Sequence, residues 1–237
     1  MNAELDKWLK NDIIEESNSP WASPLVCVMR IGKENRWCVD YRVINSYTVG
    51  DSYPLPSITE NLEKLRGSRI FSTLDAAAAY QTILVKKDSR PYLAFITPHG
   101  LYQPKKMPFG PKNAPACYSR FLEMILQRMR TPYVLGYLDD IICHTPNLKL
   151  HLRELRKVLE THREAGIKLK PSKTILFQEE ADYLGFRVTK DGIKMRDDYV
   201  EKIVKWPVPR TVKELNTFLG FVGYYRSFIE DFSRLTN

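Results

Sequence analysis

The sequence predicts an α+β fold, because helix-like and strand-like segments are mixed along the chain without regular strand–helix–strand alternation. Apolar residues spaced three to four apart indicate helices, and short runs rich in Val and Ile between turn residues indicate strands. The 237 residues can bury a large core, organised as one irregular domain or as two to three small subdomains.

Five helices are predicted from apolar stripes, and prolines or glycines follow several of them. In chain order they cover 4–11, 57–65, 116–128, 148–165 and a stretch that begins with a capping box at 211–214. The residues expected to face inward on the last three are Phe121, Leu122, Ile125 and Met129; Leu152, Leu155, Val158 and Leu159; and Leu215, Phe218, Leu219, Val222, Arg226 and Ile229. A further helix start is expected at 76–80.

Strands are predicted from short apolar or alternating runs that are bounded by turn residues. In chain order they cover 24–29, 36–41, 70–75, 82–85, 92–97, the two arms of a hairpin within 134–143, 175–177, 183–188 and 193–195. A basic turn at 32–35 joins the first two, and Asp191-Gly192 forms a turn before the last. Extended or hinge-like proline segments lie at 54–56, 107–111 and 206–209.

Composition excludes several classes of protein. The N-terminus carries acids and a lysine among its apolar residues, so it is not a signal peptide, and no apolar run is long enough to span a membrane. The four cysteines form no Cys-x-x-Cys pair, which argues against zinc, and Cys27, Cys38 and Cys143 are expected to be buried free thiols. The net charge of +8 fits a polyanionic partner, although a merely basic soluble protein would show it too.

Three acidic residues stand out through their surroundings. Asp139 and Asp140 are expected at the polar tip of a hairpin between two apolar runs, and Asp75 ends a separate alternating strand. Paired anions beside a core are costly unless a cation binds them, and Mg²⁺ prefers carboxylate oxygens. Two-metal phosphoryl transfer needs several carboxylates around ions about 3.5–4 Å apart. The doublet Asp197-Asp198 lacks such flanks and indicates only a solvated helix start.

Ten short motifs, in order along nearly the whole chain, resemble the reverse transcriptase of gypsy-type LTR retrotransposons. They are SPWASP (19–24), CVDYR (38–42), YPLP (53–56), FSTLD (71–75), MPFG (107–110), NAPA (113–116), YLDD (137–140), YLG (183–185), FLG (218–220) and YYR (224–226). The sequence departs from the family pattern at 76–79, four alanines where relatives usually carry a polar residue and often Gly. The ordered set is far more specific than a lone YLDD.

The resemblance implies a right-hand polymerase fold with fingers, palm and the start of a thumb. The implied division is fingers with entry to the palm over 1–74, palm over 75–85, fingers over 86–106, palm with the Asp-Asp hairpin and primer grip over 107–194, and thumb over 195–237. It further implies that Asp75 and Asp139 hold two Mg²⁺ or Mn²⁺ ions, that Asp140 completes a catalytic triad, and that the Ala76 carbonyl is an additional ligand.

The resemblance also assigns residues to nucleotide and nucleic acid. The implied nucleotide-binding residues are Arg36, Arg30, Ala78, Ala79, Tyr80, Phe109 and Gly110, with Lys33 as a further candidate. The implied contacts to template and primer are Tyr137, Leu184 and Gly185. Lys168, Lys170 and Lys173 would either face phosphates or form an ordinary solvated basic face. Tyr80 would lie under the sugar and favour dNTPs, unless it is an ordinary buried tyrosine.

The expected function is RNA-directed DNA polymerisation, which adds dNTPs to a primer on an RNA or DNA template. The chain would be a segment of a longer polyprotein with RNase H and integrase, located inside the cell in a cytoplasmic particle, with the nucleus as a second location. No membrane association is expected. Two alternatives remain at this stage, a catalytically silent nucleic-acid-binding relic and an RNA-templated RNA polymerase, and Tyr80 speaks against the second.

Overall fold

The strands form three sheets in the computed structural model, which describes residues 2–30, 32 and 35–236. The helices are α1 Asn2–Lys10, α2 Arg42–Tyr47, α3 Ile58–Lys64, α4 Ala114–Met129, α5 Leu148–Glu164, α6 Asp197–Val204, α7 Val212–Gly223 and α8 Phe232–Leu235. The strands are β1 Ile14–Glu16, β2 Ser23–Val28, β3 Arg36–Val39, β4 Ile70–Ala77, β5 Phe95–Thr97, β6 Gly100–Pro104, β7 Val134–Tyr137, β8 Asp140–Thr145, β9 Lys168–Leu169, β10 Ile175–Gln178, β11 Glu180–Tyr183, β12 Phe186–Thr189 and β13 Gly192–Met195. This mixture confirms the α+β class.

Several pairs of strands that follow one another in the chain, such as β5 with β6 and β7 with β8, are neighbours in the same sheet. One sheet has the order β1-β6-β5-β2-β3, in which only β2 and β5 run parallel. The central sheet has the order β10-β4-β8-β7, with the short β9 also paired to β4. The third sheet, β11-β12-β13, is an antiparallel meander. Within the described residues, no helix is long and apolar enough to cross a bilayer.

Alternate residues of the central sheet face two separate hydrophobic clusters, as the two-residue period of a strand requires. Leu74, Ile141 and Cys143 pack with α4 and α5 in one cluster. Phe71 and Ile142 pack on the other face with α3 and the β11-β12-β13 sheet. Burial on both faces holds β4 and β8 rigidly, so the residues at their ends are well positioned.

Three strand predictions need correction. The predicted helix start at 76–80 and strand at 82–85 are wrong, because β4 continues to Ala77 and a 3-10 turn over Ala79–Thr82 follows, which leaves only an isolated bridge at Leu84. The predicted strand at 183–188 is broken by a two-residue turn in which Leu184 and Gly185 both have positive φ, as a type I′ hairpin requires. The strand predicted at 92–97 begins only at Phe95, because a 3-10 turn at Pro91 precedes it.

The predicted inward face of helix α5 is right for Leu155 and Val158, which are buried, and wrong for Leu152 and Leu159, which are 53% and 43% exposed. The polar residues His151, Glu154 and His162 complete the buried face instead. Apolar periodicity alone therefore misplaces the edges of this face. Arg226 and Ile229 also lie beyond α7, which ends at Gly223. The N-cap half of the capping box is confirmed, because the Glu214 N–H donates to Thr211 Oγ1 at 3.2 Å, but the Glu214 carboxylate accepts from the Arg210 N–H at 2.7 Å rather than from that of Thr211.

The cysteine prediction is also partly wrong. Cys143 is buried in the central sheet, but Cys38 is only partly buried and Cys27 is exposed. Cys27 lies in β2, whose outer residues Val26 and Val28 are exposed as well, so apolar composition overstates the burial of this strand. All four cysteines are free thiols.

A buried chain of hydrogen bonds ties α5 to the central sheet. The Thr145 hydroxyl donates to the Asn147 carbonyl and therefore accepts from His151 Nδ1, 3.0 Å away. Burial lowers the pKa of His151, so the imidazole is neutral and Nε2, which carries no hydrogen, accepts from Ser72 Oγ at 2.7 Å. Ser72 Oγ in turn accepts from the Phe177 N–H at 3.1 Å.

Acidification should destabilise the protein through a second buried histidine, His144. Its pKa is lowered to about 4, chiefly by burial. The unfolded chain takes up this proton near pH 6.5, so stability is complete above that pH and is lost as the pH falls towards 4. This one group contributes about 3 kcal/mol to the loss. Urea unfolding at pH 7 and pH 4.5 measures it; His144→Gln should flatten the dependence, whereas the exposed His99→Gln should not. An unchanged slope in His144→Gln would contradict this assignment.

Candidate active site

The hairpin between β7 and β8 presents Asp139 at its tip. Tyr137 pairs with Asp140, so Leu138 and Asp139 form a two-residue turn in which Leu138 has a φ of 51°. Asp139 is exposed in this turn. The prediction that both acids lie at the tip is wrong for Asp140, which is the first residue of β8 and has a cross-strand partner on each side.

Close packing beneath the hairpin fixes its position. A Cβ on Gly136 would lie 2.6 Å from Leu122 Cδ2 and 3.0 Å from Leu126 Cδ1, so this glycine lets β7 approach α4. The absence of a side chain, rather than a special φ, is the reason for glycine here.

The central sheet brings Asp75 next to this hairpin. Asp75 on β4 is the direct antiparallel partner of Asp140, and the next N–H along β4, that of Ala76, donates to the Asp139 carbonyl at 3.3 Å. Asp75 and Asp140 share the strand face of Phe71 and Ile142, opposite α4 and α5. Asp75 and the adjacent pair Asp139-Asp140, which are distant in sequence, thus meet at one end of two buried strands.

The acids interact with one another and with Lys173. The pKa of Asp140 is raised, first by desolvation and then by the charges of Asp139 and Asp75, while Lys173 opposes the shift. Lys173 Nζ lies 2.7 Å from Asp75 Oδ2, an ion pair that sequence analysis missed when it assigned this lysine to phosphates. No periodicity or motif indicates it, because it depends on the pairing of β9 with β4.

Two of the three acids, Asp75 and Asp140, line an open cleft that reaches a second hairpin. A cavity of about 410 Å³ is lined by residues that include Asp75, Asp140, Lys173, Leu184 and Gly185. The cleft therefore connects the carboxylates with the Leu184-Gly185 turn between β11 and β12. Tyr137, at the end of β7, is partly buried beside the acidic turn.

Carboxylate oxygens in this arrangement suit a hard divalent cation. In the described part of the chain, no three acidic, histidine or cysteine side chains already converge as a metal-ligand cluster. Asp75 is turned to Lys173 instead. The donor types and their placement on adjacent strands fit Mg²⁺ or Mn²⁺, provided that Asp75 exchanges its ammonium partner for the metal.

Two tyrosines hold the Leu184-Gly185 turn. Tyr224 Oη donates to the Leu184 carbonyl at 2.8 Å, and Tyr225 Oη donates to the Gly185 carbonyl at 3.2 Å. A Cβ on Gly185, whose φ is 81°, would lie 3.1 Å from Tyr225 Oη. Glycine is therefore required by both conformation and space, and the YYR motif after α7 orients the turn.

Three predicted nucleotide-binding residues from separate segments form a stack. The Tyr80 and Phe109 ring centroids are 4.7 Å apart, and the Arg36 guanidinium carbon lies 4.7 Å from the Phe109 centroid. Tyr80 also packs against Tyr118, a fully buried residue that sequence analysis overlooked, at 5.3 Å. The stack joins β3 to the edge of the acidic site.

The remaining predicted nucleotide residues differ in backbone conformation and in exposure. Gly110 has a φ of 108°, and a Cβ there would lie 3.1 Å from Tyr41 Cδ2. Ala79 is buried and Ala78 is exposed. Arg30 is exposed just after β2, whereas Lys33 lies outside the described residues.

Ala78 has a left-handed backbone, with φ 51° and ψ 46°. This conformation costs an L-residue about 1–2 kcal/mol, and the family resemblance places glycine near this point. We expect Ala78→Gly to raise the free energy of unfolding by about 1 kcal/mol in urea titrations, since part of the gain is offset in the unfolded chain. The neighbouring Ala79→Gly, at a buried residue in the 3-10 turn, should lower it; equal effects of the two substitutions would contradict the argument.

A family model described as "Reverse transcriptase (RNA-dependent DNA polymerase)" matches residues 31–188. The chain belongs to the reverse transcriptase family. Among curated relatives of this reverse transcriptase domain, the retrovirus-related Pol polyprotein from transposon opus of Drosophila melanogaster is 36% identical, over 98% of this chain and 24% of its own length. The Tf2-3 polyprotein of Schizosaccharomyces pombe is 34% identical, over 100% of this chain and 18% of its own length. The domain thus spans a quarter or less of these relatives.

Solved structures agree with this membership. A foamy viral protease–reverse transcriptase in complex with double-stranded DNA aligns with a TM-score of 0.90 at 27% identity, covering 97% of this chain and 40% of that one. The same kind of protein in complex with an RNA/DNA hybrid aligns with a TM-score of 0.83 at 27% identity, covering 94% and 30%. The reverse transcriptase domain therefore has the polymerase fold, as its sequence motifs predict.

Proposed function

We propose that this domain is an RNA-directed DNA polymerase that adds dNTPs to a primer 3′-hydroxyl along an RNA or DNA template. The observation that carries the proposal is the meeting of Asp75 with Asp139 and Asp140 at one end of β4 and β8. Family membership and the likeness to nucleic-acid-bound reverse transcriptases support it. The net charge of +8 suits a nucleic-acid partner.

In this proposal Asp75 and Asp139 bind two Mg²⁺ or Mn²⁺ ions, with Asp140 and the Ala76 carbonyl as further ligands. When bound, paired cations of this kind activate the primer hydroxyl and offset charge on the departing pyrophosphate. The pKa of Asp140 is raised first by desolvation and then by the charges of Asp139 and Asp75, and a bound divalent cation would offset both causes. The protein's contribution is mainly to position the reactants for an in-line displacement.

The aromatic stack is proposed to form the nucleotide site. Arg36, with Arg30 nearby, would hold the triphosphate, and the backbone at Ala78 and Ala79 would face its outer phosphates. The Tyr80 ring would lie under the deoxyribose, with Phe109 and Gly110 beside the nascent base pair. Tyr80 is only 9% exposed and packs against both Phe109 and Tyr118, which supports a fixed position of its ring beneath the sugar.

The primer strand is proposed to pass the cleft between Tyr137 and the Leu184-Gly185 turn. Fingers would comprise most of 1–74 and 86–106, the palm 75–85 and 107–194, and the thumb would start at 195. Because the curated relatives are several times longer, we propose that the domain acts within a polyprotein that also carries RNase H and integrase, in an intracellular particle.

Primer extension tests the proposal directly. The protein is incubated with an RNA template, a DNA primer, Mg²⁺ and either dNTPs or NTPs. We expect extension with dNTPs and little with NTPs, because a 2′-hydroxyl would clash with Tyr80. Preferential use of NTPs would favour an RNA polymerase. Steeply salt-dependent binding without any extension, with Mg²⁺ or Mn²⁺, would overturn the proposal and leave a nucleic-acid-binding protein.

A further inference from the structure

Lys173 is held beside Asp75 by backbone pairing. Ala76 and Ala77 of β4 pair with β9, and the Lys170 N–H donates to the Asp75 carbonyl at 2.9 Å. A 3-10 turn over Pro171–Lys173 follows at once, with the Lys173 N–H bonded to the Lys170 carbonyl at 3.0 Å. This main-chain arrangement fixes the Lys173 Cα near the acidic site, whatever its side chain does.

The ammonium of Lys173 sits where a metal ion would be needed. It lies 2.7 Å from Asp75 Oδ2, and the charges of Asp139 and Asp140 attract it as well. The other cation among the described residues lining this cleft, Arg196, is engaged by Asp198 at 2.9 Å and Asp182 at 3.6 Å. Among the described residues that line the cleft, Lys173 is thus the cation that pairs with the acidic site, through Asp75.

The ion pair is placed so that it can open. The Lys173 side chain is 57% exposed, whereas that of Asp75 is only 17% exposed. Because Lys173 is already largely hydrated, its release into water costs little free energy. Asp75, in contrast, would be left as a half-buried anion without a partner. The ion pair therefore persists only until a cation that binds Asp75 more strongly is present.

We propose that Lys173 is a tethered placeholder cation, which holds Asp75 in the metal-free protein and leaves it when a divalent cation binds. The inference rests on the proposed function and deepens it, because it makes metal binding an exchange at Asp75 rather than the filling of a preformed cluster. Lys173 is accordingly a positioning residue that sets the metal affinity of the acids.

Manganese titration of the metal-free full chain tests the exchange, with free Mn²⁺ followed by electron paramagnetic resonance. Lys173→Met keeps the side-chain length and removes the charge, and we expect it to bind Mn²⁺ about fivefold more tightly than wild type. Lys170→Met is the matched control, since it removes the same charge from the same segment while Lys170 contacts Asp75 through its backbone N–H. It should change the affinity by less than about twofold.

A second readout follows the lysine itself. In wild type, the NMR signal of the Lys173 side-chain ammonium should shift on addition of Mg²⁺. The Mg²⁺ concentration at the midpoint of this shift should equal that at the midpoint of Mg²⁺ binding. Equal Mn²⁺ affinity of Lys173→Met and wild type, with binding lost in Asp75→Asn, would overturn the placeholder role and leave the metal site intact. Absence of Mn²⁺ binding in wild type, Lys173→Met and Asp75→Asn alike would overturn both the placeholder role and the proposed metal chemistry.

Discussion

Asp139→Asn is expected to slow primer extension by about a thousandfold or more, while binding of a template–primer duplex stays within about twofold of wild type. Asp139 is exposed in the turn between β7 and β8, so the isosteric amide changes no buried volume. It removes one of the carboxylate charges that a pair of divalent cations would require. Because the acids act as one unit, adding Asp75→Asn should cost little more.

The matched control for this prediction is Asp197→Asn. Asp197 belongs to the other acidic doublet, begins α6 and has a 93% exposed side chain with a 3.5 Å contact to Arg187. We expect wild-type extension from this variant. Single-turnover extension with a labelled primer, combined with filter binding of the same duplex, separates chemistry from affinity. Comparable extension by Asp139→Asn and wild type would remove Asp139 from the metal site.

The parts of the site that sequence could predict are those encoded locally. Apolar runs on both sides of Asp139 and Asp140 specify buried strands, and alternation before Asp75 specifies another, so three acids are placed at strand ends. The doublet Asp197-Asp198 lacks those flanks and indeed begins a solvated helix. The Thr211 N-cap likewise depends on residues three apart, and its bond from the Glu214 N–H is found as predicted.

The parts that sequence could not predict depend on contacts between distant segments. The pairing of β9 with β4 creates the Asp75–Lys173 ion pair across 98 residues, and no local pattern contains it. The buried face of α5 includes the polar His151 because Ser72 of β4 and Thr145 of β8 bond to its ring, which periodicity within the helix does not show. β4 continues to Ala77 and ends at the left-handed Ala78, so the helix start predicted at 76–80 fails.

Phe71→Ala should cause the largest loss of stability among the substitutions considered, about 3–5 kcal/mol in the free energy of unfolding. Phe71 is fully buried between β8 and β10, within the cluster that supports β11 and β12. It shares its strand face with Asp75, so the cavity would open beneath the acidic site and beside the sheet that carries the Leu184-Gly185 turn.

Urea unfolding of three variants separates this cavity from a general effect of removing a phenylalanine. Phe71→Leu conserves most of the volume and should cost less than about 1.5 kcal/mol. Phe228→Ala removes the same ring from a position that is 42% exposed, and should cost much less than Phe71→Ala. Equal losses for Phe71→Ala and Phe228→Ala would show that β4 is not anchored through Phe71. Since β4 positions Asp75 against Asp140, loss of this anchor should also reduce extension at temperatures where the variant is still folded, and Phe228→Ala should leave it unchanged.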